Sequence, residues 1–143
     1  MTELQYVREV MTLLPRRIVD GDTWWCYVNL GYRQLGYFEY RLLGWDTPEV
    51  NTAEDVWERG QGNAATLAAG TWWSDQIRAG GRRILIRSEP DPEKYGRWLG
   101  DLWAETPAGE QFHLGAHLSD LQLATSSDGT RGTRWRDTYG TGR

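Results

Sequence analysis

Residues 19–28 have the sequence VDGDTWWCYV, a turn followed by a strand, and they set the β-rich character of the chain. The turn is at residues 20–22, because aspartate beside glycine is typical of a tight turn. Residues 23–28 are mostly aromatic and β-branched, which favours a strand. Residues 4–19 are also rich in strand formers, so the sequence predicts two strands that meet at this turn.

The rest of the pattern alternates between strands and helices. A polar loop is expected at residues 55–60. Further strands are predicted at 37–43, 82–88 and 96–104, and helices at 61–79 and 114–124. Three strands, a helix, two strands and a helix predict an α+β fold, specifically an OB-type five-stranded β-barrel with two or three flanking helices.

Size and composition limit the class of protein. The chain has 143 residues, of which 39% are hydrophobic and 25% charged, as in a single soluble globular domain. No apolar run approaches the ~20 residues that span a bilayer, so we expect no membrane partner. The first residues lack the apolar region of a signal peptide, and the single Cys26 cannot form an internal disulfide. We therefore expect an intracellular, cytoplasmic protein, and a monomer.

The charge is unevenly distributed along the chain. The net charge is −4, which argues against a protein that coats nucleic acid but not against an enzyme that binds phosphate at one site. From residue 126 onward the chain carries a net charge of +2, which leaves −6 for the remainder. Residues 125–143 are rich in Gly, Thr, Ser and Arg, so we expect a flexible basic tail after a domain formed by residues 1–124.

Three short motifs contain residues suited to catalysis: residues 20–23 (DGDT), 46–49 (DTPE) and 94–97 (KYGR). Taken alone, each has a structural explanation as an Asp-Gly turn, a helix-capping segment or a glycine turn before a strand. Together they supply carboxylates and an arginine, and Arg41 adds a second arginine. Carboxylates can hold a hard cation and activate water, while arginines bind a phosphoryl group. The combination favours metal-assisted hydrolysis of a phosphodiester.

The motifs resemble those of the staphylococcal nuclease (thermonuclease) family. The similar segments are residues 19–23 (VDGDT), 41–49 (RLLGWDTPE) and 95–99 (YGRWL), in the family's order. The resemblance covers about residues 6–124 and implies an OB-like barrel with flanking helices. It also implies a Ca²⁺-dependent nuclease that hydrolyses DNA and RNA at the P–O5′ bond and leaves 3′-phosphates.

The resemblance implies a metal site and a general base. Asp22 and Asp46 match the family's calcium-binding aspartates, and Thr47 matches the residue whose backbone carbonyl binds the metal. Glu49 matches the glutamate that acts as general base or organises the attacking water. Calcium itself rests on the resemblance, because carboxylates alone would also accept Mg²⁺ or Mn²⁺.

The resemblance also implies the residues that contact substrate. Arg41 and Arg97 match the two phosphate-binding arginines of the family, whereas Lys94 and Tyr95 fall where its members have residues near the nucleotide. No catalytic position is substituted, which favours an active enzyme with DNA or RNA as its substrate.

Two other functions stay open at this point. One is a catalytically weak, nuclease-like barrel that binds nucleic acid or protein. The other is an accessory protein in which residues 125–143 do the binding. A binding module would bind nucleic acid without metal-dependent cutting, and an accessory protein would lose its function when the tail is deleted.

Overall fold

The predicted turn between two antiparallel strands is present in the structure, a computed structural model that describes residues 7–11, 17–50, 56–127 and 134–139. Within these ranges there are nine strands and three helices. The strands are β1 (Val7–Glu9), β2 (Arg17–Asp20), β3 (Thr23–Gly31), β4 (Gln34–Leu42), β5 (Trp45–Asp46), β6 (Arg83–Ser88), β7 (Trp98–Glu105), β8 (Gln111–His113) and β9 (Thr125–Ser126). The helices are α1 (Val56–Ala79), α2 (Leu114–Asp120) and α3 (Trp135–Tyr139). None of these helices is long and apolar enough to cross a membrane.

Seven strands form the main sheet, in the order β1-β6-β7-β4-β3-β2 with β8 paired to β7. Neighbouring strands are antiparallel except β4 and β7, which are parallel. This arrangement confirms the predicted α+β fold with a β-rich sheet. The strand order is that of an open sheet, so the predicted closed OB-type barrel is not confirmed. An isolated bridge between Val10 and Val28 connects the end of β1 to β3.

The hydrophobic core lies between the β3–β4 hairpin and the helices. On β3, every second residue is buried (Trp24, Cys26 and Val28), because successive side chains of a strand point to opposite faces. On α1, Trp72 and Trp73 are buried, and the rings of Trp24 and Trp73 are 6.4 Å apart in an edge-to-face arrangement. This packing fixes strand β3, which follows the turn at residues 21–22.

Helix α1 starts earlier than the sequence predicts. The predicted helix at 61–79 is confirmed, but residues 56–60, expected to be loop, form its first turns; residue 55 lies outside the described residues. Glu58 in this segment is buried and accepts a hydrogen bond from the backbone N–H of Glu49 at 3.1 Å. A contact with a distant loop thus stabilises a helical turn that the local polar sequence does not specify.

The C-terminal part of the chain is folded where the sequence predicts a flexible tail. Strand β9 pairs with β5 in a second, two-stranded sheet. Helix α3 buries Trp135, which is only 1% exposed. The expected tail, residues 125–143, is therefore folded against the domain at 125–127 and 134–139, while 128–133 and 140–143 lie outside the described residues.

Candidate active site

The predicted site residues gather around one pocket with a volume of about 680 Å³. Seven of them line it: Asp22, Arg41, Asp46, Glu49, Lys94, Tyr95 and Arg97. The eighth, Thr47, is buried beside Asp46 in the sequence. Five lining residues were not predicted as part of the site: Asp20, Glu39, Glu93, Ser127 and Arg134. Three motifs that are far apart in the chain therefore meet at one place.

The guanidinium of Arg41 joins two buried aspartates. Its Nη2 atom lies 3.0 Å from Asp46 Oδ1 and 3.5 Å from Asp22 Oδ2. Strand pairing produces this arrangement, because Arg41 lies opposite Thr23 and the N–H of Leu42 donates to the Asp22 carbonyl at 2.8 Å. Both aspartates are less than a tenth exposed, where an unpaired charge would be costly. Arg41 supplies the positive charge that both carboxylates need.

Helix α3 holds the second oxygen of Asp46. The backbone N–H of Trp135 donates to Asp46 Oδ2 at 2.7 Å. Burial raises the pKa of the Asp46 carboxyl, although this hydrogen bond and the charge of Arg41 act in the opposite direction. Both oxygens of Asp46 thus have a partner, which fixes the orientation of the carboxylate. No local signal predicts this contact, because it joins residues that are 89 positions apart in the chain.

Asp20 adds a carboxylate that the sequence assigns only to a turn. Its Oδ1 accepts a hydrogen bond from the N–H of Asp22 at 3.2 Å. Burial, followed by the charge and hydrogen bonding of Asp22 and the charge of Glu49, raises the pKa of Asp20 to about 9. These carboxylates are close enough to repel one another, so added positive charge would stabilise them. The DGDT motif contains Asp20 as well as Asp22, so the sequence did contain a signal that Asp20 could join the site.

The loop after β5 carries Glu49 and lies directly against α1. The N–H of Glu49 donates to Glu58, and Gly62 of the same helix faces the Glu49 backbone. A Cβ atom at residue 62 would lie 2.5 Å from the Glu49 carbonyl oxygen, far inside van der Waals contact. The helix therefore positions Glu49 through a buried carboxylate and a close backbone approach that only glycine allows.

Arg97 and its neighbours form the other side of the pocket. Arg97 donates from Nε and Nη2 to the two oxygens of Glu93, at 3.2 and 3.3 Å. Glu93 also accepts the backbone N–H groups of Tyr95 and Arg97. Burial alone would raise the pKa of Glu93, but the hydrogen bonds and charge of Arg97 outweigh it and lower the pKa. Tyr95 is 72% exposed, and Lys94 Nζ lies 5.0 Å from its ring centroid.

The donor chemistry of the pocket suits a hard cation. Asp22, Asp46 and the Thr47 carbonyl are oxygen donors, which Ca²⁺ and Mg²⁺ prefer. After burial, the negative charges of Asp22 and Glu49 contribute to the raised pKa of Asp20, and a cation would balance those charges. Over the ranges that the structure describes, no group of three or more His, Cys, Asp or Glu side chains is arranged to hold a metal ion. The residues therefore fit a cation in charge and chemistry, without forming a closed set of ligands.

Comparison with known proteins adds no family assignment. No protein-family model matches the chain, and no curated protein matches it at a significant level. The resemblance to the staphylococcal nuclease family therefore rests on the three motifs.

Proposed function

We propose that this chain is a metal-dependent nuclease that hydrolyses phosphodiester bonds of DNA or RNA. The observation that carries the proposal is the pocket, where Arg41, Arg97 and Glu49 lie beside the aspartate pair. Such a pocket has the groups needed to bind a phosphodiester and to activate water next to it. Cleavage of the P–O5′ bond, which leaves a 3′-phosphate, follows from the resemblance.

Both arginines keep donors for a phosphate while acidic partners hold them. The ion pairs of Arg41 use Nη2, and the bonds from Arg97 to Glu93 use Nε and Nη2. A guanidinium has five N–H donors, so each arginine retains N–H groups for the phosphoryl oxygens. Held in this way, the arginines stabilise the negative charge that grows on those oxygens as water attacks.

Glu49 is the general base in this proposal. It accepts a proton from the attacking water, and the P–O5′ bond breaks as the new P–O bond forms. Asp22, Asp46 and the Thr47 carbonyl would hold the cation. When bound, Ca²⁺ (or Mg²⁺ or Mn²⁺) supplies Lewis-acid stabilisation of the phosphoryl charge. Lys94 and Tyr95 contact the nucleotide from the exposed side of the pocket.

We also propose that five strands of the main sheet, β1, β3, β4, β6 and β7, form the OB-type barrel predicted from the sequence. Strand β1 pairs with β6, and its end then reaches β3 through the Val10–Val28 bridge. The N–H of Met11 donates to the Tyr27 carbonyl at 3.0 Å, which extends this contact. Strand β1 thereby touches both ends of the series β6-β7-β4-β3, as the closing strand of a barrel does.

The test is cleavage of a labelled single-stranded DNA in Ca²⁺ or in EDTA. Glu49→Gln should lower turnover by at least about 10²-fold, because a positioned general base contributes ~10²–10⁴. Arg97→Ala should cost a similar ~10²–10³, and Asp22→Asn should chiefly raise the Ca²⁺ concentration required. Glu110→Gln is the matched control, because Glu110 is exposed and does not line the pocket.

The outcomes separate the base assignment from the function. Full activity of the Glu49→Gln variant would exclude Glu49 as the base but not the nuclease. A folded wild-type protein that binds DNA and cuts it with none of Ca²⁺, Mg²⁺ or Mn²⁺ would instead be a nucleic-acid-binding module.

A further inference from the structure

The C-terminal segment contributes a wall of the pocket. Ser127, which follows β9, and Arg134, which precedes α3, both line it. The N–H of Ser127 donates to the Gly44 carbonyl at 2.9 Å, which ties this segment to the loop before β5. A segment predicted to be a tail thus places a cationic side chain beside the proposed catalytic residues.

Arg134 is held in place by the residue that follows it. Trp135 is buried, stacks on Trp57 with ring centroids 5.2 Å apart, and donates its indole N–H to the Gln122 carbonyl at 3.0 Å. Its backbone N–H is bonded to Asp46, as described above. These three contacts of Trp135 therefore fix the backbone next to Arg134, so its position at the pocket does not depend on a ligand.

The guanidinium of Arg134 differs from those of the other two arginines. Arg41 and Arg97 are each paired with acidic side chains. Arg134 is exposed, and its guanidinium makes no hydrogen bond or ion pair with any residue in the described part of the chain. Its charge is nevertheless close enough to oppose the rise that burial causes in the pKa of Asp46. An anchored arginine with all its donors available is suited to bind an anion from solution.

The size and charge of the pocket identify that anion. Six acidic and four basic side chains line the pocket, so a small free anion gains little net attraction from it. Its volume of about 680 Å³ is also larger than one phosphate group requires, within the roughly 300–1,000 Å³ of pockets that take larger ligands. A nucleic-acid strand carries a further phosphate on either side of the one being cut, so it can engage more than one of the arginines that line the pocket.

We infer that Arg134 binds a phosphate that neighbours the scissile phosphate of a single-stranded nucleic acid. This inference rests on the proposed nuclease function. Arg134 is then a substrate-binding residue supplied by the C-terminal segment, outside the part of the chain covered by the family resemblance. It increases affinity for strands of two or more phosphates and takes no part in the bond-breaking step.

The first experiment measures binding of a fluorescent single-stranded oligonucleotide at several NaCl concentrations. The protein carries Glu49→Gln so that the strand stays intact in Ca²⁺, and the series is repeated in EDTA. Arg134→Ala should weaken binding about threefold to tenfold. It should also reduce the slope of log affinity against log salt by about 0.7, the value for one phosphate contact on a single strand. Arg134→Lys should retain the slope.

Arg78→Ala is the matched control. It removes the same charge from a side chain that is 77% exposed and does not line the pocket, so the salt slope should not change. Equal slopes for Arg134→Ala and Arg78→Ala would overturn the inference, as would failure of the Glu49→Gln protein with Arg134 intact to bind the strand.

The second experiment compares cleavage of a dinucleoside monophosphate with that of a trinucleoside diphosphate. Arg134→Ala should raise KM only for the substrate with two phosphates and leave kcat unchanged. An equal effect on both substrates would overturn the inference, because Arg134 would then act on the scissile phosphate. If the wild type cuts neither substrate but Arg134→Ala reduces the salt slope as predicted, the proposed nuclease function fails while phosphate binding by Arg134 stands.

Discussion

Two glycines of α1 should respond in opposite ways to the same substitution. Gly60 and Gly62 lie two residues apart in the helix, and neither requires a left-handed backbone. A Cβ atom at Gly60 would meet no atom within 4 Å, whereas one at Gly62 would meet the backbone of Glu49 and the side chain of Val50. Gly60→Ala should therefore stabilise the protein, and Gly62→Ala should destabilise it.

The magnitudes follow from two opposing effects. Alanine is better than glycine in a helix by about 0.5–1 kcal/mol, and both variants receive this gain. At Gly62 the new Cβ would lie 2.5 Å from the carbonyl oxygen and 2.8 Å from the carbonyl carbon of Glu49. Backbone atoms held by a buried partner cannot move cheaply, so overpacking should cost about 1–3 kcal/mol. Because the propensity gain cancels between the variants, their difference in free energy of unfolding measures the steric cost directly.

Urea unfolding followed by tryptophan fluorescence measures this difference. We expect Gly62→Ala to be less stable than Gly60→Ala by at least about 1 kcal/mol. It should also be slower in the proposed nuclease reaction, because the substitution pushes Glu49 away from α1. Equal stabilities of the two variants would refute the close approach of α1 to the Glu49 loop, and with it the account of how Glu49 is positioned.

The remaining predictions concern helix α3 and the acidic cluster. Trp135→Ala should cost about 3 kcal/mol of stability, because it removes a buried indole stacked on Trp57. Urea unfolding measures this loss, with Leu67→Ala as the control at a site that is 74% exposed. A loss no larger than that of the control would contradict the docking of α3. Asp20→Asn in metal-free buffer should stabilise the protein at neutral pH. The folded-state pKa of Asp20 is raised from 3.8 to about 9, so its contribution to stability is full below 3.8 and is lost as pH rises towards about 9. An unfolding series across this pH range should fall less steeply for the variant than for wild type, and identical slopes would argue against a partly buried, protonated Asp20.

Much of the fold and of the pocket could be predicted because the relevant signals are local. The alternation of buried and exposed residues along β3 specifies a strand, and the spacing of Trp72, Trp73 and their neighbours specifies a helix. Seven residues of the pocket could be predicted because each lies within a short motif, next to a turn or at the end of a strand. The chemical roles and the metal stay predictions, and so does the closed barrel.

Features that depend on contacts between distant segments could not be predicted in this way. The first turns of α1 are stabilised by Glu58, which is bound to the Glu49 backbone. The polar residues at 56–60 do not by themselves indicate that partner. Trp135 lies in a Gly- and Arg-rich stretch whose composition favours disorder. It is ordered because Trp57, Gln122 and Asp46 surround it, and these come from other parts of the chain.

The amino-acid sequence was therefore sufficient for strands β1 to β4, β6 and β7, for most of α1 and for the residues of three motifs, since these depend on periodicity and turn chemistry within a few neighbours. Tertiary packing decided where α1 begins, that Asp20 joins the acidic cluster, and that Arg134 reaches the pocket. The physical reason is that hydrogen bonds and buried contacts across the chain provide enough free energy to override weak local preferences.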